Sequence, residues 1–168
     1  MRKHCTALWI GAAVMLAIGA LIIVRYSMTI TAIKGLILLC VLLYASKSDI
    51  ENLEVPDFVW VILLILSFVD FGAVNMTSRL IGAAVVFLPQ FVFAMLFPTK
   101  ALGGADMKIS AAAAFCLGAG KGIAALIIGL TAAVFCIPIY RKISKLDKSK
   151  PFPLVPFLSV GIITAYLA

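Results

Sequence analysis

Seven acidic residues stand in a chain of 168, and five of them fall in two short stretches. Asp49, Glu51, Glu54 and Asp57 crowd the segment SDIENLEVPD, and Asp106 stands in LGGADMKIS, where two glycines and an alanine lead a carboxylate into an apolar run. An ionised group at the mouth of a hydrophobic segment is costly, so its presence asks for a reason. Two facing carboxylates can hydrolyse an amide: the ionised member takes a proton from water while the protonated member donates one to the carbonyl oxygen. Both roles coexist because close carboxylates cannot both ionise cheaply and so share a proton. A low-dielectric membrane boundary strengthens that coupling. Asp49 and Asp106 are the best-placed pair, since each stands where an apolar segment meets the same interface.

Other chemistries find little support. His4 is the single histidine, has no partner pattern around it and reads as a solvated terminal side chain, so neither a histidine triad nor a histidine metal cluster is expected. Cys5, Cys40, Cys116 and Cys136 are scattered without a C-x-x-C pair, which suggests small buried hydrophobes rather than zinc ligands or a disulfide framework. No metal or cofactor is expected.

The elements that must position the carboxylates are hydrophobic helices. The chain is 64% hydrophobic and 12% charged, with a mean hydropathy of +1.20, whereas soluble domains are about half apolar and one quarter charged. Apolar segments lie at roughly 7–24, 31–47, 56–71, 79–97, 106–118, 121–139 and 154–168, several of them shorter than the ~20 residues that span a bilayer comfortably. Backbone groups in lipid must be paired internally, so these segments are helical. The expected fold is all-α, a polytopic membrane bundle of about six core helices (31–168) preceded by one N-terminal helix (1–30). That first segment is longer than a signal-peptide core and no small-x-small site follows it, so it is expected to be retained.

The net charge of +7 lies mostly in short loops, which fits membrane orientation better than nucleic-acid binding; no nucleic-acid motif is present. With the N-terminus inside, the inner side collects Arg2, Lys3, Lys47, Lys100, Lys108, Arg141, Lys142, Lys145, Lys148 and Lys150, against Arg25, Lys34, Arg79 and Lys121 outside. Ten against four favours N-inside, C-outside. Both acidic stretches then face the cytoplasm, Asp70 lies outside, and Asp147 sits in the basic loop.

Individually the acidic residues also have ordinary explanations. Asp106 can cap its helix, and Asp49 alone can be a loop charge. Asp57 follows Pro56, which is common helix-start chemistry. Glu51 and Glu54 read as solvated, and Lys108 as a side chain reaching for the interface. Gly103 and Gly104 permit a sharp turn and leave room for an extended substrate strand. Helix dipoles place Asp106 at a positive helix end and Asp49 after a negative one, so Asp106 is expected to be the more often ionised partner.

Taken as a set, these motifs resemble the type IV prepilin peptidases, membrane aspartic proteases of the GxGD class. DIENLEVPD resembles that family's first-aspartate loop, with Asp49 followed by Pro56 and Asp57. GGADMK resembles G-x-G-D-x-K, with Asp106 as second aspartate and Lys108 as the lysine. FPLVPFLSVG resembles the proline-rich approach to the last helix, where Pro156 matches and Val155 replaces a usual glycine. Ala105 replaces the glycine before the second aspartate, and Glu51 and Glu54 stand where many relatives are basic. The likeness covers roughly residues 31–168.

The resemblance implies a short, peptidase-only form in a prokaryotic inner membrane. It would cut a basic leader from prepilin or pseudopilin precursors through Asp49 and Asp106, with no cofactor. Glu51, Glu54 and Asp57 are candidates for attracting the leader. Gly103, Gly104, Ala105, Lys108, Pro56 and Pro156 would shape the loops. Oligomeric state is left open. From the residues alone, a proton-coupled transporter or a structural subunit of a pilus or secretion assembly remain the alternatives.

Overall fold

The structure, a computed structural model, describes residues 14, 16–26, 29–69, 72, 74–96, 103–144 and 152–168, with the backbone alone for 140–144. Residues His4, Cys5, Asp70, Lys100, Lys145, Asp147, Lys148 and Lys150 lie outside the described residues. Among those described are seven helices and no strand: α1 (Leu16–Tyr26), α2 (Ile30–Asn52), α3 (Phe58–Phe68), α4 (Met76–Leu96), α5 (Gly104–Leu117), α6 (Ala119–Ser144) and α7 (Val155–Leu167). The chain is thus an all-α membrane protein. Three helices, α2, α4 and 119–139 of α6, are long and apolar enough to cross a bilayer, while α1, α3 and α7 are shorter apolar helices. Large side chains such as Leu16, Ile65, Met95, Val134 and Phe135 point outward, the pattern that a lipid solvent permits.

α5 is the inner element. It packs against α3, α4 and α6 and buries Ile109, Ala112, Ala113, Ala114 and Cys116 almost completely. Small residues set how closely its neighbours approach, as expected where hydrophobicity alone cannot drive helices together in lipid. A Cβ on Gly122 of α6 would fall 2.6 Å from Ala114 Cα, and one on Gly161 of α7 would run into the Ala125 carbonyl oxygen. α7 therefore lies in close backbone contact with α6. On its other side, the Ser46 and Ser159 hydroxyls meet at 3.0 Å, tying α7 to α2.

Alternating helices sort the polar residues to two ends. One end holds the C-terminus of α2 and the N-termini of α3, α5 and α7. At the other, Tyr26 donates to the Tyr166 carbonyl at 2.6 Å and Tyr166 donates to the Thr31 carbonyl at 2.6 Å, lacing α1, α7 and α2 together. There too the buried Arg79 donates to the carbonyls of Val74, Phe115 and Cys116. A cation on the unpaired carbonyls at a helix C-terminus is favourable.

Candidate active site

The hydropathic segment of α2 stops near residue 47, but the helix continues through Asn52. Asp49 is therefore helical and lies before the loop rather than within it. The helix ends on Leu53, which adopts a left-handed conformation (φ 56°) and donates its N–H to the Asp49 carbonyl at 2.9 Å. That conformation is unusual for a leucine, and it reverses the chain immediately after the carboxylate.

Asp49 is buried, at 7% exposure, and its Oδ2 accepts the Val155 N–H at 2.9 Å. Val155 opens α7, and Pro156 follows with no N–H to satisfy. The Phe157 N–H goes to the Leu154 carbonyl. Asp49 thus supplies, from across the bundle, the acceptor that the start of α7 needs. The helix-dipole contrast expected from sequence does not survive this geometry. Asp49 sits at the negative end of its own helix but also at the positive end of α7, so both aspartates face a helix N-terminus.

Asp106 is the third residue of α5, not its N-cap. Gly103 holds the cap position, and the Asp106 Oδ2 reaches back to accept the Gly103 N–H at 3.2 Å. This is half of a capping box, since glycine has no side chain to return the bond. Gly103 is needed for close approach: a Cβ there would stand 2.9 Å from Asp106 Oδ2, whereas one on Gly104 would meet nothing within 4 Å. Neither glycine has a positive φ, and among the described residues other than glycine only Leu53 does. Ala105, second in α5, is accordingly in ordinary helical conformation, and the backbone there does not require a glycine.

Asp49 from the end of α2 and Asp106 from the start of α5 lie close enough for the charge of one to act on the other, although 56 residues separate them in sequence. Among the described residues, no group of three His, Cys, Asp or Glu is arranged to hold a metal ion.

The remaining acidic residues divide. Glu51 stands 3.9 Å from Lys47, one turn away and exposed, a pairing that contributes little. Glu54 is exposed, and its carbonyl accepts the Ser48 hydroxyl at 2.8 Å. Asp57 holds the cap position of α3 without capping it. Its Oδ1 instead accepts from Lys108 Nζ at 2.7 Å and from Trp60 Nε1 at 3.1 Å. The Lys108 hydrogen bond first, then that of Trp60, hold the Asp57 carboxyl below its ordinary value of 3.8. A lowered value means that the ion pair is present at neutral pH and is lost only as pH falls through that lowered value. Lys108 thus reaches Asp57 rather than simply extending to the interface. Neither this pair nor the Asp49–Val155 bond has a local sequence signature, because both join segments distant in the chain.

The sequence profile of the Type IV leader peptidase family matches residues 36–139, a span holding Asp49, Asp57, Asp106 and Lys108. No curated protein and no solved structure gives a significant match. The matched span is more than half of the chain, and the chain belongs to the Type IV leader peptidase family.

Proposed function

We propose that this membrane peptidase removes the short basic leader from type IV prepilin-like precursors, using Asp49 and Asp106 as a water-activating pair. The observation that carries this reading is a pair of carboxylates from separate helices, near enough for one charge to act on the other and each hydrogen-bonded to a backbone N–H of a helix start. One carboxylate, ionised, takes a proton from water as its oxygen attacks the scissile carbonyl. The other, protonated, gives its proton to the carbonyl oxygen. Collapse of the tetrahedral intermediate then breaks the C–N bond, with a proton delivered to the departing amine.

The substrate's hydrophobic helix would remain in lipid while its basic leader stays in the cytoplasm, bringing the cleavage point to the interface. The distribution of lysine and arginine supports this orientation, with an N-inside chain in a prokaryotic inner membrane. Residues 31–168 act as the catalytic unit behind an N-terminal helix. Glu51 and Glu54 supply negative charge near the leader. Asp57 adds to it only to the extent that Lys108 leaves its charge uncompensated.

The test is co-expression of the chain with precursors bearing a basic leader and a hydrophobic helix, the products read by mass. A single cut between leader and helix is expected, weakening as salt rises. Intact precursor beside well-expressed enzyme, across several such precursors, would overturn the reading.

A further inference from the structure

Between α3, α4 and α5 lies an apolar pocket of about 270 Å³, walled by Leu64, Ala83, Phe87, Ala112 and Phe115 and bounded by Trp60 and Lys108. The pocket borders α5 from Lys108 to Phe115, beginning two residues beyond Asp106. Lys108 lines the pocket, and its ammonium bonds Asp57 at 2.7 Å while lying 6.0 Å from the centre of the Trp60 ring. The residues flanking Asp57 are tied in turn to α2. The Ser48 hydroxyl bonds the Glu54 carbonyl at 2.8 Å, the Tyr44 and Phe58 rings meet at 5.5 Å, and the Leu53 N–H returns to the Asp49 carbonyl. The Lys108–Asp57 bond therefore joins the helix that carries Asp106 to the loop that follows the helix of Asp49.

We propose that the Lys108–Asp57 ion pair is a clasp that holds the first turn of α5 against the α2–α3 loop and so sets the approach of Asp106 to Asp49. Both are positioning residues for the hydrolysis, an assignment that rests on the functional reading above. The side chains are 48% and 74% exposed, and exposed pairs contribute little to global stability. The clasp therefore acts on geometry, and geometry is where a shift of about 1 Å costs on the order of 10²-fold in rate.

Lys108→Met and Asp57→Asn are each expected to lower kcat about 10- to 100-fold, with KM and the unfolding midpoint nearly unchanged. Lys108→Arg should restore most of the rate, and the double variant should be no slower than the slower single one. Full kcat in either single variant, or losses that simply multiply in the double, would overturn the clasp. So would a raised KM with unchanged kcat, which would make these residues substrate contacts instead. Failure of the unmodified chain to cleave would count against the functional reading alone. The clasp then answers to disulfide trapping in Asp49→Cys/Asp106→Cys, quantified by peptide mass: adding Lys108→Met should lower the yield severalfold, and an unchanged yield would refute it.

Discussion

The two ends of α5 use the same residue types to opposite effect. At its C-terminus, Gly118 has a φ of +84°, and a Cβ there would lie 2.7 Å from Val74 and 3.1 Å from the Ser78 hydroxyl. A Cβ on Gly82 would fall 2.9 Å from the Ala119 backbone, and Arg79 is buried against the last carbonyls. Gly118, Gly82 and Arg79 serve packing there. At the N-terminus, Gly104 faces open space, Gly103 spares room for a carboxylate oxygen, and Asp106 is only partly buried. The contrast separates glycines that permit packing from glycines that keep a site open.

Substitution at Gly118 should give the largest effect on stability. Gly118→Ala places a side chain in a backbone region nearly reserved for glycine and against two neighbours, and should destabilise by about 3 kcal/mol, read by unfolding in detergent. Turnover per folded molecule should be unchanged. Asp49→Ala, which removes the acceptor at the start of α7, should cost about 1–2 kcal/mol, whereas Asp49→Asn keeps an acceptor oxygen and should cost less than half of that. At the open end, Gly103→Ala pushes on Asp106 and should slow cleavage about tenfold with little loss of stability. Gly104→Ala should leave the rate alone and raise stability by up to about 1 kcal/mol through helix propensity. Finally, Leu53→Gly relieves a left-handed leucine and should stabilise by about 1 kcal/mol. A rate loss in Gly104→Ala equal to that in Gly103→Ala would break the comparison, because only one of the two touches the carboxylate.

Hydropathy located the bundle well because lipid exposure imposes long apolar runs: 79–97 was expected where α4 runs from Met76 to Leu96, and 154–168 where α7 runs from Val155 to Leu167. It ended α2 too early because SKSDIEN is polar, and helical hydrogen bonding does not stop where hydrophobicity does. Asp49 and Asp106 were legible as candidates from their placement at apolar boundaries. Their surroundings were not. The bond from Val155 to Asp49 spans 106 residues and that from Lys108 to Asp57 spans 51, and no periodicity within a segment encodes a partner on another helix. The dipole argument for Asp106 as the more ionised partner was incomplete for the same reason, since the dipole that offsets the end of α2 belongs to α7.

The most direct test of the account is cleavage of a basic-leader precursor by purified Asp49→Asn and Asp106→Asn, with unfolding followed on the same samples. Asparagine can keep each backbone hydrogen bond while removing the shared proton. Both variants should therefore fold like the unmodified chain and lose on the order of 10³-fold or more in kcat. A folded variant of either kind that cleaves near the unmodified rate would contradict the two-carboxylate site.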